Sequence, residues 1–592
     1  MYLKRHGVRR GVKRYTYLRL VHAYRDEQGR VRHRVLATLG REEELKASGQ
    51  LDQLAAAFTR ADPPRLGARR EVGPLLLVRH FVERLGLVEL IDRHVPQRGR
   101  AELTTGEVVT ALVANRLCAP APLYDIAAWG AGAALHELLS VPGMLLNDDR
   151  LGRALETLAP VAEAVRGAAA LSAIEAFGVD AARLHLDLTT LRVAGAYEGS
   201  ALVRKGWGAD RHVRRQVRML QAVNREGIPL YVRPHPGDAA ELTCIGLALE
   251  RLAQLLGPGL LVCADSAMGH LKNLCAADRA HLRFIVPLRA DTGFAERFLK
   301  EVGHRALHRL PYVSQRDRDR PVEKRPRYRG ALRSFDVVDP ETEESHSFRV
   351  VYVWSSEEAQ SVREARERAL LKADKALTTL RRACVRGEYT KQELESKLTS
   401  ILAPSLRDLL VIHIGSRAGK PTLRWHRNAA ALKAVARFDG IYALATNLPG
   451  RISATRVLRL YKDQYRVEMR HRDAKQTLRV RPIFLHNDDR IVALTSIVGL
   501  ALLVFGLIEM SVRRALGPAQ PLEHLLPEGR AALPTARSIL AAFQGLEMTY
   551  TEDGPMLDRL TSTQRRILEL LKITPPWPER TTQTPSMCGK RG

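Results

Sequence analysis

The chain has 592 residues, with 93 Lys and Arg against 65 Asp and Glu, a formal net charge of +28 and a pI near 10.2. That length exceeds one hydrophobic core and points to about three or four domains, while 45% apolar and 27% charged residues exclude a disordered chain. A polyanionic partner, nucleic acid before an anionic membrane, is the simplest compensation for so much positive charge, although an Arg-favouring coding bias would raise the same number.

Cys118, Cys244, Cys263, Cys275, Cys384 and Cys588 form no CxxC pair and have no His at ligand spacing. Such use fits reduced thiols in a cytoplasmic protein better than a disulfide framework or a zinc site. The basic N-terminus is followed by no apolar run of the kind a signal peptide needs.

Residues 1–70 form a basic region in which 15–39 alternate around an Asp-Glu-Gln-Gly turn, the pattern of a β-hairpin. From 71 to 180 the period becomes helical. Thr104 and Glu107 make a capping box, and Pro120-Ala121-Pro122 separates that helix from a shorter one ending near Trp129. Two helices around a tight break could read DNA as a helix-turn-helix, or simply pack.

The period then changes to two. Residues 183–189 alternate as a strand, 216–223 and 228–232 follow as strands joined by a turn, and 241–256 read as an amphipathic helix. Short buried strands are expected at 260–264 and 284–288. A meander followed by a crossover is the layout of an α/β, ribonuclease-H-like core, spanning 181–299 in its first part. An insertion domain at 300–435 holds a basic loop at 315–329, a strand at 349–354 and a charged helix at 356–383. The core resumes over 436–512 with a strand at 440–446 and a helix bearing Glu468. Residues 491–508 carry no charge, close to the lower length of a spanning helix, but their Thr, Ser and Gly and their isolation favour a helix buried in the core. Residues 513–592 form a helical C-terminal segment, with a disordered tail expected from about 574.

Alternation sends Asp187, His185 and Thr189 to the face opposite Leu186 and Leu188. Asp265 follows Leu-Leu-Val-Cys-Ala at the C-terminal end of its strand, where ligands bind in open α/β sheets. On neighbouring strands the two carboxylates would repel unless a divalent cation sat between them, and an oxygen-only donor set suits Mg²⁺ or Mn²⁺ over zinc. A strand-edge ion pair and a turn cap would explain the same two residues. Tyr461, Glu468 and Lys475 are spaced by seven, which leaves only about 20° of drift, so one uniform helix would carry all three on a single face. Arg472 falls on that side as well.

The run from Tyr461 to Lys475, with Glu468 between them, resembles the Tyr-x2-Arg-x3-Glu-x6-Lys signature of bacterial insertion-sequence DDE transposases of the cut-and-paste class. Leu184-His-Leu-Asp187, Glu226-Gly-Ile-Pro, His235-Pro-Gly-Asp238, Ala264-Asp265-Ser, Phe438-Asp-Gly440, Ala445-Thr-Asn447 and Arg481-Pro482-Ile483 resemble further family segments in order, over most of 100–510. Gln464 replaces the signature Arg, His471 stands where relatives commonly carry Phe, and Asp238 stands where Asn is common.

This resemblance implies a ribonuclease-H-like fold and a catalytic and metal-binding set of Asp187, Asp265 and Glu468. It implies two-metal phosphoryl transfer that cuts element ends and joins them to target DNA. Tyr461, Arg466, Arg472 and Lys475 are the expected DNA contacts, with Trp354 a candidate for stacking on an unpaired base. The implied partners are DNA with terminal inverted repeats, target DNA and a second copy of the chain, in a cytoplasmic, nucleoid-associated setting. A ribonuclease-H-fold nuclease that does not join strands and a DNA-binding derivative without catalysis are the alternatives.

Overall fold

The computed structural model describes the chain except residues 1, 11–12, 26–30, 42, 45–65, 97–100, 209–211, 315–316, 319, 418, 481–482, 518 and 581–592. The expected turn at 26–29, the Arg481-Pro482 pair, the side chain of Gln464 and the end of the tail therefore lie outside the described residues.

The N-terminal hairpin exists as β2 (Lys13–Arg25) and β3 (Val31–Arg41), and β1 (Tyr2–Arg10) adds a third antiparallel strand that lacks a clear alternation of its own. β4 (Arg69–Glu71) pairs with a strand close to the other end of the chain, described below. In the helical region Thr104 caps the Thr105–Cys118 helix through the expected box with Glu107. That helix is buried from Val108 through Leu117, Asn115 and Arg116 included, so it presents no face of its own to a DNA groove.

The ten-stranded sheet is built around β5 (Arg183–Arg192), with β6 (Arg204–Trp207), β7 (Val213–Asn224) and β8 (Pro229–Pro236) on one side. β5, β7 and β8 form an antiparallel meander. On the other side β9 (Leu261–Cys263) runs parallel to β5, and β10 (Arg283–Pro287) parallel to β9, reached through the Glu241–Leu256 and Leu271–Arg279 helices. β11 (His308–Leu310), β12 (Tyr328–Val338) and β13 (Ser345–Ser355) extend the same sheet, joined to β10 through β16 (Ile441–Thr446).

A separate apolar cluster, including Leu377, Leu394 and Leu423, begins only with the Ser356–Arg386 helix and takes in β14 (Leu410–Arg417) and β15 (Lys420–Arg427). Asp439 and Gly440 join this part to the sheet. Asp439 is buried and takes a bidentate pair from Arg366, and Gly440 has a positive φ of 77° with the Ser355 carbonyl so near that a Cβ would lie 2.5 Å from it.

The uncharged run is the middle of the Asp488–Leu516 helix, whose most apolar window is 94% buried. It packs against β8 and the helices Thr105–Cys118, Asp148–Leu158 and Ala162–Phe177. Each large aliphatic or aromatic side chain removed from water there contributes about 1.5–3 kcal/mol, which explains why the helix is apolar all round.

Past 513 the chain makes two short helices and a hairpin, β17 (Glu547–Thr551) with β18 (Gly554–Leu557), and β17 pairs with β4. The tail is held further than expected. Trp577 packs on the main core, Arg580 donates its backbone N–H to the Leu557 carbonyl at 2.8 Å, and Glu579 pairs with Arg565.

Candidate active site

Alternation along β5 works as read. Leu184 and Leu186 are buried in the main core and Leu188 packs against it, so Asp187, His185 and Thr189 face the other way. β5 and β9 run parallel with His185 opposite Cys263. Asp187 and Asp265 each lie two residues beyond that pair, Asp265 just past the end of β9, and they are near enough for the charge of Asp187 to act on Asp265. Asp265 Oδ1 accepts the Ala267 N–H at 3.0 Å in the turn that ends the strand. Burial raises the Asp265 carboxyl to about 6, and the charge of Asp187 pushes the same way.

Opposite these acids, the helix carrying Tyr461, Glu468 and Lys475 departs from the uniform helix expected. It is α-helical over Ala454–Tyr461, a 3-10 turn over Lys462–Gln464, α-helical over Tyr465–Arg472 and a π-helix over Asp473–Thr477. The tighter and wider turns offset one another, and all three side chains still serve the β5–β9 edge. Tyr461 lies within electrostatic reach of both Asp265 and Glu468; burial, then those charges, pushes its phenol up to about 12. Glu468 is exposed on the Tyr465–Arg472 helix, which packs across β5 and β7. Lys475 Nζ donates to Thr189 Oγ1, on the same face of β5 as Asp187.

The remaining expected DNA contacts divide. Arg472 is exposed. Arg466 stands over the Tyr465 ring at 5.3 Å and borders two cavities of about 690 and 990 Å³. Trp354 stands apart from the carboxylates. The pairing of β13 with β16 puts Val351 and Val353 on the Asp187 face, and Trp354 on the opposite face, where it packs half-buried against the main core. A stacking role beside the carboxylates does not fit that position.

Several residues that hold the site were not singled out in the sequence. Arg470 is buried, with Asp473 at 2.9 Å and Glu509 of the buried helix at 3.3 Å. Arg183 and Asp463 pair at 2.7 Å. His471, noted in the sequence only as standing where relatives commonly carry Phe, has Nδ1 3.2 Å from Asp187 Oδ2. Charged residues on a helix usually read as solvated, so only a bound partner on another element reveals Arg470.

The family-like segments have local reasons. Gly237 of His-Pro-Gly packs so close that a Cβ would lie 2.1 Å from the Gln216 carbonyl oxygen. Glu226 takes a pair from Arg514 at 2.9 Å, and Asn447 receives the Phe284 N–H at 2.9 Å while donating to Asp278 at 2.7 Å.

Asp187, Asp265 and Glu468 offer only carboxylate oxygens, and Asp265 is raised by burial first and by the charge of Asp187 after it, a setting that fits a hard divalent cation. A second group of ligand-type atoms, Cys275, Asp339 and His346 within 4.8 Å of one another, lies at the opposite end of the parallel strands, and there Arg279 already contacts Asp339.

A three-stranded meander followed by two parallel strands, with one acid on the first strand and one just past the end of its parallel neighbour, defines a ribonuclease-H-like core. The chain belongs to the DDE transposases: the family model for the transposase DDE domain matches residues 182–504, more than half of its length. Residues 3–65 match the N-terminal domain of IS1634 family transposases, and 68–164 match a domain of unknown function, DUF4277. No curated protein shows a significant match to the chain. The protein is therefore an insertion-sequence transposase, of a family that transfers DNA phosphoryl groups with divalent metal.

Proposed function

We propose that Asp187, Asp265 and Glu468 are the catalytic carboxylates and hold Mg²⁺ or Mn²⁺ while the protein cuts the ends of its element and joins them to target DNA. The observation that carries this reading is that Asp187 and Asp265 each lie two residues beyond the last pair of the parallel strands β5 and β9, with the helix that bears Glu468 packed on β5. Divalent cations supply activation of the attacking oxygen and stabilisation of the leaving oxygen.

The chain's own groups bind and orient the DNA. Lys475, steered by Thr189, offers a point charge to a phosphate. Tyr461 keeps its proton at neutral pH and can donate it in a hydrogen bond. Arg466 and Arg472 extend the cationic surface along the same helix. The natural substrate in this reading is double-stranded DNA ending in terminal inverted repeats, bound by two copies of the chain in the bacterial cytoplasm, at the nucleoid.

Labelled DNA carrying the element ends, incubated with protein, Mg²⁺ and a target plasmid, tests the whole sequence of steps. Joined products are expected. Cut ends without any joining would reassign the protein as a nuclease, and binding without cutting under Mg²⁺ or Mn²⁺ would leave a DNA-binding derivative.

A further inference from the structure

We infer that His471 is a positioning residue for Asp187, donating from Nδ1 to Oδ2 and thereby fixing how that carboxylate presents itself to a divalent cation. The inference rests on the reading of Asp187 as a metal ligand.

Both Asp187 oxygens have a polar neighbour. The Leu188 N–H donates to Oδ1 at 2.9 Å, and His471 Nδ1 lies 3.2 Å from Oδ2. One donor alone leaves the carboxylate free to rotate about that bond; an N–H donated from Nδ1, 3.2 Å from the other oxygen, would hold its plane. The His471 ring is itself fixed, with its side chain 7% exposed and Nε2 buried without a hydrogen-bond partner. Among the described residues Asp187 is thus the only polar group recorded against either ring nitrogen, which favours the tautomer carrying hydrogen on Nδ1.

Placement adds a second consequence. His471 follows Glu468 by three residues, so the two are neighbours on one helical face. The contact with Asp187 therefore also sets the distance between the strand of the first acid and the helix of the third. A Phe at this position would fill similar space and could do neither. Ligating carboxylates are commonly oriented by such outer hydrogen bonds, whose loss costs roughly 10–100-fold in metal affinity.

The test is Mn²⁺ binding by electron paramagnetic resonance, without DNA, on the full-length protein. His471→Phe keeps the bulk and removes the donor, and should weaken Mn²⁺ roughly 10–100-fold. His471→Asn places an amide N–H where Nδ1 stood and should stay near wild type, whereas His471→Gln, whose amide falls nearer Nε2, should behave like Phe. The Asn and Gln pair carries the comparison if the Phe variant fails to fold. Equal affinity across wild type, Phe and Gln overturns the inference. Asp187→Asn is measured beside them: if it loses Mn²⁺ while His471→Phe does not, only the positioning role fails, and if it binds like wild type, the reading of Asp187 as a ligand fails first.

Discussion

Arg183 Nη2 lies 2.7 Å from Asp463 Oδ2, tying the first residue of the strand that carries Asp187 to the 3-10 turn between Tyr461 and Glu468. Arg183 also reaches the Leu460 carbonyl at 3.4 Å. The pair is a brace between two parts of the site that are far apart in sequence. Being partly exposed, it adds little to stability, about 0–1 kcal/mol. Its geometric effect is larger. Arg183→Gln should melt close to wild type yet cut DNA about 10–100-fold more slowly, because small displacements of a catalytic group are costly. A variant with normal cleavage would show that the helix is set by packing alone.

Asp265 gives a prediction about pH. Its carboxyl is raised to about 6, by burial first and by Asp187 next, whereas in the unfolded chain it titrates near 4. The folded state thus holds the proton more tightly, so this group contributes stability below pH 4 that is lost as pH rises toward 6. In EDTA, Asp265→Asn should match wild type at pH 4 and be more stable above pH 6. Thermal unfolding of both proteins across that window measures it, and parallel curves would contradict the assigned cause.

Asp439 and Arg366 are both largely buried and joined by two hydrogen bonds, Arg366 Nη1 to Oδ1 at 2.8 Å and Nη2 to Oδ2. Removing one partner leaves the other charged and desolvated, so Asp439→Ala should cost about 3–5 kcal/mol, read from urea unfolding. Replacing both with apolar residues should recover part of that loss. An Asp439→Ala protein as stable as wild type would mean that water reaches the Arg366 guanidinium.

Gly237 should not tolerate a methyl group. The Gln216 and Arg204 carbonyls stand 2.1 and 2.5 Å from where a Cβ would be, and backbone cannot move aside as a flexible side chain can. Gly237→Ala should destabilise by about 1–3 kcal/mol, and hydrogen exchange should locate the loosening at β6 and the adjoining part of β7. By contrast, Trp354→Phe should leave end binding and cleavage unchanged, since Trp354 lies across the sheet from the acids. Loss of end binding in a well-folded Trp354→Phe protein would restore the stacking role.

What could be read in the sequence follows from locality. Leu184, Leu186 and Leu188 announce the face of β5, and the unbroken apolar run before Asp265 announces a buried strand end, because both signals lie within a few residues. The capping box at Thr104 is equally local. The change from α to 3-10 to π around Glu468 leaves no such trace: a spacing of seven suits a uniform helix equally well. Arg470 with Glu509, Arg183 with Asp463 and β4 with β17 are pairings between distant segments, visible only once the chain is folded. Trp354 misled because its face depends on the register of β13 against β16, which its own alternation does not fix.

Asp187, Asp265 and Glu468 are proposed to act as one metal-dependent cutting centre. The most direct measurement is cleavage of labelled element ends by wild type and Glu468→Gln, in Mg²⁺ and in EDTA, with end binding followed in the same samples. The expected result is cutting by wild type in Mg²⁺ only, with Glu468→Gln binding the ends normally and cutting at least about 10³-fold more slowly, about 4 kcal/mol of lost transition-state stabilisation. Equal cutting by the variant, or wild-type cutting that persists in EDTA, would contradict it.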